Sequence, residues 1–275
     1  LNNPFIQSRS NNIQFRSTIQ PLNSFRIQLD AKRIVSENFQ ETFRFDSQKD
    51  TYVSLTPSRG GNFSLSFLAI KTAFVKDDNL NNSPTFERFA KNRLIIRDRL
   101  NSLNIQGEYG LNSQDVLIPA FISAYSDSDP STFSLKPFPK IPIPNWRIDF
   151  SGLSKIKSLS EIFSSITISH GYQSIYSVGE FSNSLLYIDN LDFNNSIMNY
   201  PLASQQTENG FVPFYIINQV RITERFSPLI GINVRTKNNL NARIDYKKDR
   251  NIMLNLSNAQ VSEMINSDFS IDFGY

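Results

Sequence analysis

The one histidine of this chain, His170, limits the acid–base chemistry that the sequence can offer. A Ser-His-Asp or Cys-His arrangement would need it, and the chain has no cysteine. His170 stands in the middle of a predicted strand beside Gly171, which favours a structural role. The aspartates at 77–78 and 127–129 lack the partners and loop signature of a metal site, and the sequence has no phosphate-binding glycine loop. We therefore expect no enzymatic activity, no cofactor and no bound metal.

A second set of reactive side chains occupies every other position of the segment 229–248. Its letters, LIGINVRTKNNLNARIDYKK, alternate between apolar and polar residues on both sides of Asn238 and Asn239. Side chains of a strand repeat every two residues, so this segment is predicted to be a β-hairpin with one apolar and one polar face. The polar face would carry Arg235, Lys237, Asn241, Arg243, Asp245 and Lys247.

Two kinds of protein use strands with one apolar and one polar face. A soluble sandwich buries the apolar face, whereas a transmembrane barrel turns it to lipid and its polar face to a water-filled lumen. Most predicted strands have about 8–11 residues, the length with which a tilted strand crosses a bilayer. Under the barrel interpretation the polar set above faces the lumen. The residues predicted to face lipid are Leu240, Ala242, Ile244, Tyr246, Ile252, Leu254, Leu256, Phe269, Ile271 and Phe273.

The elements that would position these residues fall into three parts. Period-two alternation covers 1–71 and 145–275, in roughly ten to twelve predicted strands. The segment 72–144 between them has a different pattern. We expect it to be a helical and proline-rich insertion that forms a compact loop domain.

Helical spacing and proline positions define the insertion. Ser83 followed by Pro84 is typical of a helix start, and the apolar spacing predicts a helix to about Leu103. A second helix is predicted over 113–125, with Pro119 limiting or kinking it. The four prolines within 137–144 then predict a stiff, extended connector.

Composition excludes several classes of protein. The 28 Lys and Arg are dispersed among 25 Asp and Glu, so we expect no nucleic-acid partner. No window approaches the length of apolar residues that a membrane helix needs. The surplus of 23 Phe and 10 Tyr suits strands and the aromatic girdles of barrels. Because the chain begins at Leu1 without a signal peptide, it is predicted to be a mature product or an excised piece.

Five stretches of the sequence are long and irregular beyond what strand patterning requires. They are SFLAIKTAF at 66–74, NSQDVLIPAF at 112–121, FPKIPIPNWRIDFSGLSKI at 138–156, SHGYQSIYSVGEFSNSLLY at 169–187 and SPLIGINVRTKNNLNARIDYKKDRNIMLNLSNAQVSE at 227–263. These stretches resemble the SprA/Sov family, the outer-membrane translocon of the type IX secretion system. The resemblance covers nearly the whole chain and is weakest at 1–60 and 189–212.

The resemblance implies a function and a set of partners. The chain would be an antiparallel wall segment, toward the C-terminal part of a longer parent chain, of a transmembrane barrel in the cell outer membrane. That barrel conducts folded cargo proteins with C-terminal secretion signals, works with plug and shuttle proteins, and supports gliding motility in species that glide. The remaining part of the parent chain and the outer-membrane lipid would surround the segment. The insertion could pack inside the lumen, cap it or hold a partner.

Two other interpretations stay open at this point. The chain could be a self-contained outer-membrane barrel transporter, or a soluble β-sandwich adhesin at the cell surface. A gene that encodes only these residues after a signal peptide would favour the transporter, and a protein that stays in the aqueous phase after detergent partition would favour the adhesin.

Overall fold

The computed structural model describes residues 4–55, 57–78, 80, 82–103, 108–187, 205–207 and 210–275. In these residues it contains thirteen strands, three α-helices and two short 3₁₀ turns, at Ile70–Thr72 and Gly152–Lys155. The strands are β1 (Phe5–Leu22), β2 (Phe25–Glu41), β3 (Phe43–Asp46), β4 (Thr51–Ser54), β5 (Ser58–Ser66), β6 (Asn145–Phe150), β7 (Phe163–Asn183), β8 (Gln205–Thr207), β9 (Gly210–Val212), β10 (Tyr215–Ile217), β11 (Gln219–Thr236), β12 (Asn241–Asn255) and β13 (Gln260–Gly274). The helices are α1 (Pro84–Leu103), α2 (Gln114–Tyr125) and α3 (Lys157–Ser160).

Nine of the strands form one antiparallel sheet. Seven of them lie side by side in the order β1-β2-β5-β7-β11-β12-β13. The other two strands are β6 and β10. β6 lies end to end with β5, between β2 and β7, and pairs with both of them. β10 lies end to end with β11 and pairs with β7. In the described part of the chain, β1 pairs only with β2 and β13 only with β12. The sheet is therefore open, with a long edge strand on each side.

The fold class predicted from the sequence is confirmed at the level of a mainly β, antiparallel, many-stranded structure. The predicted strand length is wrong for the main sheet, where β1 has 18 residues and β7 has 21. β2 is also long, with 17 residues, and no glycine or proline interrupts it. The longest strands are thus about twice as long as a bilayer requires.

The glycines at 60 and 61, which the sequence places in a loop, lie inside β5. A Cβ atom on Gly61 would meet the carbonyl oxygen of Ser36, and one on Gly60 would come within 2.8 Å of the carbonyl oxygen of Phe181. The two glycines therefore let β5 fit closely between β2 and β7.

The predicted hairpin and helices are confirmed. β11 and β12 meet at a turn in which Asn239 has a φ of 64° and the amide of Thr236 bonds the carbonyl of Leu240 at 2.9 Å. α1 begins at Pro84 and ends at Leu103 as predicted. In α2, Ser113 is the N-cap residue and Pro119 lies inside the helix.

The strand-free insertion runs from 67 to 144 and does not form a core of its own. Every residue of α2 from Val116 to Tyr125 is buried. The core cluster that contains them also contains sheet residues such as Leu65, Tyr176 and Ile222. The insertion and the sheet therefore share one hydrophobic core, and the expectation of a compact, self-contained loop domain is corrected.

Candidate functional site

The apolar face of the sheet can be followed across the strands, because directly paired residues of antiparallel strands point to the same side. The register places all the predicted lipid-facing residues of β12 and β13 on this one face. Two rows illustrate its continuity. The first contains Ile168, Ile232, Ile244 and Ile271, and the second contains Leu65, Tyr176, Ile222 and Ile252.

The first row belongs to a part of the face that lies outside the shared core cluster and on which several large apolar side chains are exposed. We call it the bare half. Phe269 pairs with Tyr246 and is 62% exposed, and Phe273 pairs with Ala242 and is 76% exposed. Such a patch of large apolar side chains normally marks a protein or membrane contact. Its other strongly exposed members are Phe15, Ile19, Ile230, Leu240, Ile244 and Ile271.

The second row belongs to the covered half, over which the insertion packs. Ile252 and Leu254 were expected to face lipid, but both are fully buried in the shared core. Leu256 lies one residue past the end of β12 and packs partly against the same core. The lipid-facing expectation is therefore corrected for these residues, because helices of the insertion take the place that lipid was expected to occupy.

An aromatic row separates the two halves. Trp146 stacks on Tyr172 with ring centroids 4.5 Å apart, and Tyr172 packs at 5.1 Å against Phe226. Phe74 of the insertion contacts Phe226 at 5.3 Å, and Ala73 is buried beside both strands. We call Ala73, Phe74, Trp146, Tyr172 and Phe226 the boundary cluster.

A buried ion network lies directly above the boundary cluster. Arg250 donates from Nε to Glu263 Oε1 at 2.6 Å and from Nη1 to the Thr72 hydroxyl at 2.9 Å. Its Nη1 also lies 3.6 Å from Oε2 of Glu224, whose side chain is fully buried. The Tyr172 hydroxyl donates to Glu224 at 2.7 Å.

The network ties the insertion to three strands at once. Thr72 donates to the carbonyl of Tyr125 at 2.8 Å, which joins the base of the insertion to α2. The amide of Ala69 donates to the Tyr172 hydroxyl at 3.0 Å. Burial raises the pKa of Tyr125, over whose ring the Arg250 guanidinium lies at 5.5 Å. The phenol therefore stays neutral and adds no negative charge beneath the guanidinium.

The interpretation of the sequence missed this network, although the alternation contained a signal for it. Glu224 lies between Ile222 and Phe226 at a position in phase with the apolar face of β11, and Arg250 does the same on β12. A charge in an apolar phase indicates a buried partner. The register then brings the two together, because Glu224 pairs directly with Arg250.

The opposite face of the sheet is polar, and in the described residues its charges are largely matched. Arg225 contacts Asp249 at 3.1 Å and Lys247 contacts Asp268 at 3.7 Å. Three more pairs lie on the same face, namely Arg16 with Asp30, Arg147 with Asp149 and Arg243 with Asp245. The polar face is therefore a surface of interleaved cations and anions.

Most of the residues predicted to face a lumen lie on this polar face. Arg235, Asn241, Arg243 and Lys247 do so in the register of β11 and β12. Asp245 also lies there, but it is only 4% exposed, since Gly231 and the Arg243 guanidinium pack against it. Lys237 follows the last residue of β11 and stands in the turn, so its assignment to the strand face is corrected.

His170 lies on the apolar face at the bulge of β11, and its contacts among the described residues are with a backbone carbonyl and two aromatic rings. Its Nδ1 lies 2.7 Å from the carbonyl oxygen of Leu229, which makes Nδ1 the protonated nitrogen. The ring lies 6.2 Å from that of Phe226 and 6.5 Å from that of Trp146. His170 thus fixes the backbone where the register of β11 shifts between Phe226 and Gly231.

The described residues contain no group of three or more His, Cys, Asp or Glu side chains that could hold a metal ion. None of the helices in the described ranges has the length and apolar character needed to span a membrane. Comparison with known proteins found no matching family model and no matching curated protein.

Proposed function

We propose that this chain is a sector of the wall of an outer-membrane β-barrel that conducts folded proteins, as in type IX secretion. The observation that supports it best is the division of one sheet face into a bare apolar half and a half covered by the insertion. Behind both halves, the other face is mainly polar, with a few apolar residues such as Ile6 and Met264. A membrane wall needs this combination, with lipid on one side and water on the other.

The bare half has the height of a bilayer. On β7 it extends from Phe163 to Tyr172, a distance of ten residues along the strand. A transmembrane strand tilted by about 45° has about 9–11 residues. The boundary cluster then lies at one interface of the membrane, where aromatic side chains are enriched in such walls. The remainder of each long strand extends beyond the membrane.

Under this proposal the insertion lies outside the lumen. α1 and α2 pack over Tyr176, Ile222 and Ile252, which share the apolar face with the proposed lipid-facing residues. Because the polar face is the one that would line the channel, the insertion covers the outer surface of the wall beyond the membrane. It neither plugs nor caps the lumen, and it is free to contact a partner beside the barrel.

Two features weigh against the alternatives. A sandwich would cover the apolar face with a second sheet, but the bare half is uncovered and the covered half carries helices. A self-contained transporter would have to close its own sheet, whereas β1 and β13 each leave one edge unpaired in the described chain. A sector of a larger wall has neither requirement, because neighbouring strands of the parent chain would pair with both edges.

Site-specific photo-crosslinking in the parent protein tests the assignment. A crosslinking amino acid at Arg243, on the polar face, should capture a cargo protein whose C-terminal signal is fused to a slowly exported folded domain. The neighbouring position Ile244, on the bare half, should capture lipid but no cargo. These positions form a matched pair on one strand. Cargo captured equally at both positions, or at neither, would contradict the proposal.

The proposal also specifies partners and location. The wall sector lies in the cell outer membrane, with cargo on its polar face and plug and shuttle proteins at the mouths of the channel. The resemblance to the SprA/Sov family supports these partners, and the geometry of the two faces supports the location.

A further inference from the structure

The lowest part of the insertion contacts the rim of the bare half. Residues 70–76 have the sequence IKTAFVK. Ala73 is buried in the boundary cluster, and the ring of Phe74 lies against Phe226. Phe74 is nevertheless 52% exposed, and Val75 beside it is 42% exposed. This segment thus leaves two apolar side chains uncovered at the level where the bare half begins.

Basic side chains surround these two apolar residues. Lys71 and Lys76 are exposed on either side of them. Lys248 lies beneath, with its Nζ 4.5 Å from the Phe74 ring centre and donating to the carbonyl of Ala73 at 2.7 Å. Lys248 is therefore engaged in holding the segment, while the two outer lysines extend into solvent.

Two carboxylates, those of Asp77 and Asp78, follow the segment. Asp78 accepts hydrogen bonds from the amides of Leu80 and Asn82 and from the Asn82 side chain, at 2.8–2.9 Å. These bonds, with that of the Asn82 side chain the largest cause, lower the pKa of Asp78. Asp77, which follows Lys76 directly, is exposed. Lys71 and Lys76 are the two cations that flank the exposed apolar pair in the sequence.

We propose that segment 70–76 anchors the insertion to the membrane surface by binding anionic lipid head groups. Phe74 and Val75 enter the layer between head groups and acyl chains, and Lys71 and Lys76 contact lipid phosphate groups. Aromatic residues and lysines are favoured at this depth because each combines an apolar body with a polar or charged end. This inference rests on the proposed function, since it needs the bare half to lie in the membrane.

Depth-dependent fluorescence quenching tests the anchor. The full-length parent protein, in a cysteine-free background, is reconstituted into phosphatidylcholine liposomes with or without phosphatidylglycerol. A fluorescent label is placed at V75C, at L103C or at I271C, and lipids brominated at shallow or deep positions serve as quenchers. Leu103, which is 61% exposed at the end of α1, is the matched control on the same insertion. Ile271 reports on the bare half itself.

We expect shallow bromines to quench the label at position 75 and deep bromines to quench the label at 271, with no quenching at 103. Replacing Lys71 and Lys76 with serine should lower the ratio of docked to undocked label at position 75 about fivefold for each lysine. This loss should occur only in liposomes that contain phosphatidylglycerol, and inorganic phosphate added to the buffer should not reproduce the docking.

The outcomes separate the two proposals. Quenching at 271 without quenching at 75 would overturn the anchor and leave the wall intact. Absence of quenching at 271 would overturn the wall and the anchor together. Quenching at 75 that is equal in both liposomes and insensitive to the lysine substitutions would overturn the binding of anionic head groups.

Discussion

Arg250 is the residue on which the attachment of the insertion most depends. Its guanidinium satisfies Glu263 and Thr72 directly and is the cation nearest the buried Glu224. Removing one partner of a buried pair leaves the other charge without compensation, which costs far more than removing an exposed pair. Losing any one member of the network should therefore weaken the whole attachment of the insertion to the sheet.

Replacing Arg250 with leucine should destabilise the junction by about 3–5 kcal/mol, because Glu224 would stay buried without its cation. The rate at which trypsin releases insertion fragments from the membrane-inserted parent protein measures the effect. Replacing Arg225 with leucine is the control, since the Arg225–Asp249 pair is half exposed and is expected to contribute about 0–1 kcal/mol. Equal cleavage rates for the two variants would show that the network does not hold the insertion.

Ile244 tests the environment of the bare half at a single residue. Replacing it with arginine should cost about 2–4 kcal/mol if it lies near the middle of the bilayer, because a charge is transferred into hydrocarbon. The fraction of parent protein that folds in detergent-free liposomes at increasing urea gives the change. The same substitution at Asn241, on the polar face, should cost little. A soluble protein would tolerate both changes equally.

At the scale of the elements, the sequence predicted what depends on local pattern. Alternation around Asn238 and Asn239 defined the hairpin, and Ser83 with Pro84 located the start of α1. The sequence could not predict which part of the apolar face the insertion would cover. Periodicity shows that a face is apolar but does not show what packs on it. Ile252 is an example, because an isoleucine is equally suitable at a lipid-facing position and at a position buried under a helix.

The sequence also underestimated the strand lengths for a physical reason. Charged residues in the apolar phase, such as Glu224 and Arg250, look like interruptions when each strand is considered alone. In the sheet these two residues pair directly, and β11 and β12 continue through them. On these two strands the polar network and the strand length are therefore linked, and only the register reveals it.

The insertion should not fold by itself, because α2 is buried on all sides and completes its core with residues of the sheet. Residues 67–144 produced alone should lack a cooperative thermal transition when followed by circular dichroism. The two ends of the segment lie next to each other in the sheet, where the amide of Ile143 donates to the carbonyl of Ser66 at 3.0 Å. A sharp transition in the isolated segment would show that it is an independent domain after all.

At the scale of the whole molecule, the open sheet is the feature with the largest consequence. β1 has 18 residues and β13 has 15, and among the described residues each leaves one row of backbone groups unpaired along most of its length. In a membrane each unpaired N–H or C=O group costs several kcal/mol, because no water is present to replace the missing partner. If the sheet is the proposed wall sector, it depends on strands that pair with both edges.

Residues 1–275 produced alone should consequently fail to form a stable closed barrel, although they contain nine strands of one sheet. After refolding in detergent they should run as a broad, high-mass species in size-exclusion chromatography and show no difference in gel mobility between heated and unheated samples. The parent protein, refolded in parallel, should be heat-modifiable, since closure pairs both edges. A monodisperse, heat-modifiable monomer of the 275 residues would mean that β1 and β13 can pair with each other. The chain would then be a self-contained transporter rather than a sector of a larger wall.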